Sequence, residues 1–166
     1  MKVIIDTNCL LDAADKHSIA YPYLQNIFVA ASVGKVKLWI SLHSLSEINK
    51  TDAMTKRAKE IAGGLNILPH YPIGVWGEQV GTWDNVSGTW GDAERNQELQ
   101  TELASLAKVG NSIRDRGAYI DAINAHADVF VTSDRQLAGS GPAERIRQRF
   151  FLRVITPKAL AEELST

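Results

Sequence analysis

The first nine residues of the chain constrain its fold more than any other segment. Residues 3–5 (Val-Ile-Ile) form a short apolar run typical of a buried strand, and the run ends on Asp6, which is followed by Thr7 and Asn8. An apolar pattern suited to a helix then resumes. In an open parallel sheet, ligands bind at the carboxyl ends of the strands. We therefore interpret Asp6 as a candidate reactive group and not as a residue of a solvated surface.

Strand-like and helix-like segments alternate along the rest of the chain. Residues 36–40, 128–132 and 152–155 are further short apolar runs typical of strands. The segments between them are helical in pattern, and one of these predicted helices extends from Ser41 through Ile61. The alternation predicts an α/β fold, a three-layer α/β/α sandwich with a mainly parallel central sheet. A chain of 166 residues fits a single domain.

Composition and charge exclude several classes of protein. The sequence has no apolar stretch long enough to span a bilayer and no basic-then-apolar leader, so we expect a cytoplasmic protein with no membrane partner. The single cysteine, Cys9, excludes an internal disulfide and a thiolate metal site, and we expect it to pack as a small apolar residue. The net charge of −1 indicates no general attraction to nucleic acid. Basic residues cluster at 50–59 and 135–153, and taken alone these clusters are interpreted as solvated helix faces.

Four acidic residues from distant parts of the sequence are expected to meet at one edge of the sheet. Asp6 and Asp134 each follow a strand-like run and are flanked by hydroxyl or amide side chains. Glu47 lies one to two turns into the helix after the second strand, and Asp115 lies at the start of the helix that leads to Asp134. An alternative for Glu47 is a helix-capping role, because Ser44 precedes it at the spacing of a capping box.

Carboxylates held together repel one another and need either protons or a cation. Oxygen ligands suit a hard divalent ion such as Mg²⁺ or Mn²⁺, and none of the four positions supplies the His or Cys ligands that zinc prefers. The chemistry suited to such a site is cleavage of a phosphate ester.

Three segments, MKVIIDTNCLLDA, SLHSLSEI and RDRGAYIDAINAHADVFVTSDRQL, occur in this order and resemble the PIN-domain nucleases. Within them the chain is similar to the toxins of VapBC-type toxin–antitoxin pairs. The resemblance implies that Asp6, Glu47, Asp115 and Asp134 are the catalytic, metal-binding acids of a Mg²⁺- or Mn²⁺-dependent endoribonuclease. Asp115 is preferred over Asp121 because the family places its third acid nineteen residues before the last, which is the separation of Asp115 from Asp134. Asp121 departs from the family pattern. It is either a solvated residue or a residue that supports the metal ligands from outside, and the solvated interpretation is preferred.

The resemblance also extends to residues beside the acids. Asn8 and Thr132 match polar neighbours of the first and last acids, and they are expected to orient carboxylates and bound water or to cap the helices that follow. Arg114, Arg116 and Arg135 flank the acids and are expected to contact substrate phosphates, although solvation alone is favoured for at least one of them. None of the four histidines in the sequence is assigned a role.

A Trp/Gly-rich insertion at about residues 66–91 is the clearest departure from the compact toxins. It is predicted to form a loop or irregular hairpin that turns at residues 84–85. Trp76, Trp83 and Trp90 could stack on unpaired bases, receive a partner peptide or cover the domain's own core. Burial is favoured for at least one of them.

The sequence thus predicts a single PIN-like domain, residues 1–166, and the resemblance implies that it cleaves RNA to leave a 3′-hydroxyl and a 5′-phosphate. If the protein is the toxin of a type II pair, the resemblance implies an antitoxin partner and a homodimer. The alternative is a PIN-like RNA-processing or non-catalytic RNA- or protein-binding module that is not a toxin. A phosphatase of the haloacid-dehalogenase type is disfavoured, because Asn8 stands where that chemistry needs a second acid.

Overall fold

The computed structural model describes residues 1–48, 52–69, 90–107 and 113–166. Within these ranges it describes the side chains except at residues 90–94, 106–107, 113–116 and 140. Five strands form one sheet in the order β3-β2-β1-β4-β5, and every pair of neighbouring strands is parallel. The strands are β1 (Lys2–Ile5), β2 (Lys37–Ile40), β3 (Asn66–Ile67), β4 (Val129–Val131) and β5 (Arg153–Ile155).

Helices connect the strands and cover the sheet. They are α1 (Thr7–Ala14), α2 (Tyr21–Ser32), α3 (Leu42–Glu47), α4 (Ala53–Ala62), α5 (Trp90–Ala107), α6 (Ile113–Asn124), α7 (Ser140–Phe150) and α8 (Pro157–Leu164). The predicted α/β fold with a parallel sheet is confirmed. None of the described helices is long and apolar enough to cross a membrane.

The two faces of the sheet are buried in separate apolar clusters. Val3 and Ile5 pack with side chains of α1, α2, α4 and α8, whereas Ile4 and Phe130 pack with side chains of α5, α6 and α7. Successive side chains of a strand point to opposite faces, so a strand covered on both sides needs apolar residues at every position. This is why residues 3–5 are a continuous apolar run, and it gives the molecule three layers.

Two sequence predictions about the segments after β2 are wrong in detail. The single helix predicted from Ser41 to Ile61 is two helices, because α3 ends at Glu47 and Asp52 begins α4 as its N-cap, accepting a hydrogen bond from the Thr55 amide at 2.9 Å. The loop predicted for the insertion also does not begin at residue 66, since residues 66–67 pair with β2 as an edge strand.

The remainder of the insertion is only partly described. Leu68 is buried, and α5 begins at Trp90. Trp76, Trp83 and the predicted turn at residues 84–85 lie outside the described residues, as does the side chain of Trp90. The prediction of one domain with a Trp/Gly-rich insertion stays a prediction.

Candidate active site

The strand order places a topological switch point between β1 and β4. The chain leaves β1 toward β2 and β3 on one side, then returns to β4 and β5 on the other. Connections that diverge in this way leave a crevice at the carboxyl ends of the two strands, which is where open α/β sheets bind ligands. Asp6 follows β1 at this crevice, and its amide donates to the carbonyl oxygen of Val131 at the end of β4 over 3.0 Å.

The Asp6 carboxylate has a fixed orientation. Asp6 is the N-cap of α1, and its Oδ1 accepts a hydrogen bond from the Thr7 amide at 2.8 Å. Its Oδ2 accepts from the Thr132 hydroxyl at 2.7 Å. A helix N-terminus also favours negative charge. The sequence therefore places an oriented, half-buried carboxylate directly after the central strand.

Thr132 joins Asp6 to Asp134. Its side chain is fully buried, and its Oγ1 donates to Asp6 while accepting from the Asp134 amide at 3.1 Å. The Asp134 carboxylate is exposed, and its Oδ1 accepts from the Gln136 amide at 2.8 Å. One hydroxyl thus fixes the positions of two acids that are far apart in sequence.

Thr7 joins Asp6 to Glu47 through two different groups, because its backbone amide donates to Asp6 and its hydroxyl donates to Glu47. The Thr7 hydroxyl donates to Glu47 Oε2 at 2.5 Å, and Glu47 is the last residue of α3. The capping-box alternative for Glu47 is wrong, because Ser41 is the N-cap of α3 and its Oγ accepts from the Ser44 amide at 3.1 Å. Thr7 is a site residue for which the sequence pattern indicates no role. The signal that could have identified it is a hydroxyl residue directly after the strand-end acid.

Asp115 lies in the first turn of α6. The position of the carboxyl end of this helix shows in which direction the helix runs. Lys2 Nζ at the start of β1 donates to the carbonyl oxygen of Ala125 at 2.9 Å, just beyond the end of α6. The carboxyl end of α6 is therefore near the amino end of the sheet, and its first turn is toward the edge that carries Asp6. The Asp115 side chain lies outside the described side chains, and its role stays a prediction.

The remaining predicted site residues lie around the same edge. Asn8 is exposed in the first turn of α1, and Arg135 is exposed beside Asp134. Arg114 and Arg116 belong to the first turns of α6, but their side chains lie outside the described part of the chain. Contacts between any of these residues and a substrate stay predictions.

The donor set at this edge suits a hard cation. Asp6, Glu47 and Asp134 offer only carboxylate oxygens, and each oxygen can accept more than one interaction, so the threonine hydrogen bonds do not exhaust them. Among the described side chains, no group of three acidic, histidine or cysteine residues is placed so that it could hold a metal ion by itself. Mg²⁺ commonly uses one or two carboxylates and several waters, so this arrangement fits a hydrated ion.

Asp12 is a further acid near the edge that the sequence analysis did not identify. It accepts hydrogen bonds from the hydroxyls of Ser133 and Ser18, and Ser133 directly precedes Asp134. Cys9 Sγ lies 3.5 Å from the Ser133 hydroxyl, and burial raises the pKa of the Cys9 thiol far above its usual range. Cys9 is therefore a buried, protonated core residue, as expected from the sequence.

Asp121 is the largest correction to the sequence analysis. It was interpreted as solvated, yet its side chain is fully buried, and so is the side chain of His43, which was assigned no role. His43 Nε2 lies 4.0 Å from Asp121 Oδ2. The imidazole lies against the backbone of α6 at Gly117, where an added Cβ would be 2.5 Å from two ring atoms. The signal in the sequence is a glycine four residues before an aspartate on a helix of small residues.

The basic cluster at 135–153 is partly neutralised by exposed ion pairs. The three pairs are Arg147–Glu144, Arg149–Glu102 and Arg153–Glu163. Hydrogen bonding to Arg147 lowers the pKa of Glu144 to about 2, so this carboxylate is charged throughout the neutral range. These pairs agree with the interpretation of the cluster as a solvated surface.

The chain has an α/β fold of the PIN-like type. It consists of a five-stranded parallel sheet with an acid at the end of its central strand. No family model and no curated protein matches the sequence. Among solved structures, the chain is similar to one in the crystal structure of VapBC2 from Rickettsia felis bound to a DNA fragment from their promoter. The TM-score is 0.58 at 17% identity, over 94% of this chain and 98% of the other. This likeness confirms the fold that the sequence resemblance implied.

Proposed function

We propose that this protein is a Mg²⁺- or Mn²⁺-dependent endoribonuclease whose catalytic acids are Asp6, Glu47, Asp115 and Asp134. The observation that carries the proposal is the set of hydrogen bonds that Thr132 and Thr7 make to the acids at the switch point. Thr132 connects Asp6 with Asp134, and Thr7 connects Asp6 with Glu47. Acids that serve only solubility do not need fixed orientations at the crevice of a parallel sheet.

The residues at the edge have separable tasks in this proposal. The chemistry that a bound divalent ion supplies is activation of water and neutralisation of the charge that develops on the phosphate. The acids hold that ion, with Asp115 completing the set from α6. The hydrogen bonds that Thr7 and Thr132 make to Asp6 and Glu47 hold these carboxylates in fixed orientations, which a cation site requires. Arg114, Arg116 and Arg135 would bind the phosphates that flank the cleaved bond, leaving a 3′-hydroxyl and a 5′-phosphate.

The biological setting of this activity is proposed by analogy. The similar Rickettsia structure is named as a VapBC2 assembly, which supports a toxin whose acidic edge is covered by an antitoxin protein. A homodimer rests on the same analogy. The Trp/Gly-rich segment within residues 66–91, which the compact toxins lack, favours the alternative of an RNA-processing or RNA-binding module outside any toxin–antitoxin pair.

The decisive experiment measures cleavage of single-stranded RNA with Mg²⁺ or Mn²⁺. Asp6→Asn and Asp134→Asn should each reduce cleavage by roughly 1,000-fold or more, because removal of a residue that acts at the reacting centre costs that much in comparable enzymes. Glu162→Gln is the matched control, since it neutralises an exposed acid on α8 that pairs weakly with Lys158. Equal activity of wild type and both aspartate variants, or activity that persists in EDTA, would refute the assignment.

A further inference from the structure

A buried histidine–aspartate pair lies between α3 and α6, the two helices that carry Glu47 and Asp115. His43 is 1% exposed and Asp121 is 0% exposed, with 4.0 Å between Nε2 and Oδ2. A buried carboxylate is costly unless a charge or hydrogen bonds compensate it. The imidazole of His43 is one polar group that the fold brings close to the Asp121 carboxylate.

Gly117 shows that α6 is shaped to receive the His43 ring. A Cβ at this position would lie 2.5 Å from Cε1 and Nε2 and 2.6 Å from Cδ2 of His43. Glycine inside a helix is less favourable than alanine by roughly 0.5–1 kcal/mol. Gly117 therefore lowers the intrinsic stability of α6, but it allows the imidazole to lie directly against the helix backbone.

Stability alone does not account for the pair. Replacing a buried ion pair with apolar side chains of similar volume is often neutral or stabilising in proteins. A buried polar pair can instead define one arrangement of the elements that carry it. Each of the two helices carries one of the proposed catalytic acids. The relative position of α3 and α6 therefore needs to be fixed.

The positions of the four residues connect the pair to these acids. His43 and Glu47 are four residues apart on α3 and lie on the same face of it. α3 has only six residues, which is too short to be stable without tertiary anchors. On α6, Asp115 lies two residues before Gly117, so the contact at Gly117 and Asp121 fixes the rotation and height of the turn that carries it.

We propose that the His43–Asp121 pair is a positioning contact that sets the separation of Glu47 from Asp115. This inference rests on the proposed nuclease function. His43 and Asp121 themselves touch neither metal nor RNA in this account. They act through the backbones of α3 and α6, much as residues outside the ligand set orient the ligands of other metal sites.

The test measures Mn²⁺ affinity by electron paramagnetic resonance, together with thermal unfolding in the absence of metal. Asp121→Asn keeps the side-chain volume and replaces the carboxyl group with a neutral amide. It should weaken Mn²⁺ binding by roughly 10- to 100-fold, as loss of an outer partner does at other sites. At saturating RNA, kcat should fall with KM unchanged, because phosphate binding does not depend on the pair. Wild-type Mn²⁺ affinity and kcat in Asp121→Asn would overturn the proposal.

A second variant keeps the test decisive if Asp121→Asn does not fold. His43→Leu/Asp121→Leu replaces the whole pair with apolar side chains and should leave the melting temperature unchanged or raise it. We expect it to bind Mn²⁺ as weakly as Asp121→Asn. Wild-type affinity in this double variant would show that the pair only fills space and would overturn the proposal.

The Mn²⁺ measurement also separates this proposal from the proposed function. If wild type binds Mn²⁺, Asp6→Asn abolishes that binding and no RNA is cleaved, the nuclease assignment fails while the effect of Asp121→Asn on affinity still decides the positioning role. If wild type binds no Mn²⁺ that depends on Asp6, both proposals are refuted.

Discussion

The two polar regions on which the proposals rest are built in different ways. In the edge cluster of Asp6, Thr7, Thr132 and Asp134, the acids bond to hydroxyl and amide groups, many of them adjacent in sequence. In the α3–α6 contact, His43 lies beside Asp121 and Gly117, which are distant from it in sequence. His43 Nε2 and Asp121 Oδ2 are 4.0 Å apart. The edge cluster leaves an exposed acid for a ligand, whereas the α3–α6 contact is closed to solvent. The difference suggests a division of tasks in a site: local sequence motifs supply the ligand residues, and a contact between residues far apart in sequence fixes their geometry.

Thr132→Val should have the largest effect among the changes that compare the two regions. The substitution removes the hydroxyl that Asp6 and Asp134 share and leaves the Asp134 amide without this acceptor. We expect RNA cleavage to fall by roughly 10- to 100-fold, in line with other residues that orient metal ligands. The free energy of unfolding should fall by about 1–3 kcal/mol, measured by urea titration. Thr132→Ser keeps the hydroxyl and should retain most of the activity, and a fully active Thr132→Val would contradict the shared role of this hydroxyl.

Gly117→Ala should destabilise the fold through the α3–α6 contact. The added methyl group overlaps the imidazole of His43, and such overpacking costs about 1–3 kcal/mol, measured by urea unfolding without metal. Gly141→Ala in α7 is the matched control, because a Cβ there would meet only the flexible guanidinium of Arg145 at 3.4 Å. The control should be neutral or slightly stabilising. Equal stability of the two variants would show that α6 does not need glycine at position 117.

The smallest expected effect concerns Cys9, whose thiol should not react with a thiol reagent in the native protein. Burial raises the pKa of its thiol, so almost no thiolate exists at pH 7–8 and a thiol reagent such as DTNB should not label the native protein. Labelling of the protein in guanidinium chloride is the control and should reach one thiol per chain. Rapid labelling of the native protein would mean that the region between α1 and Ser133 opens readily, and it would weaken the view of the edge cluster as rigid.

Much of the fold was predictable because its signals are local. The apolar runs at residues 3–5 and 129–131 indicate strands covered on both faces, and the helices between them require parallel connections. The break between α3 and α4 was missed because Asp52 was not recognised as a helix N-cap, although its side chain accepts from the Thr55 amide. The short strand at residues 66–67 was missed because two residues carry no periodic pattern.

By itself, the sequence determined that Asp6 and Asp134 lie at one edge of the sheet, since each acid lies at or just beyond the carboxyl end of a parallel strand. Only the tertiary structure decided the environment of Asp121. A carboxylate on a helix is normally solvated, and its burial costs free energy unless another element places a polar group beside it. His43 reaches it from α3, 78 positions earlier in the chain, across a helix surface that lacks a side chain at Gly117. Strand ends are encoded by neighbouring residues, whereas the compensation of a buried charge depends on which helices meet in space.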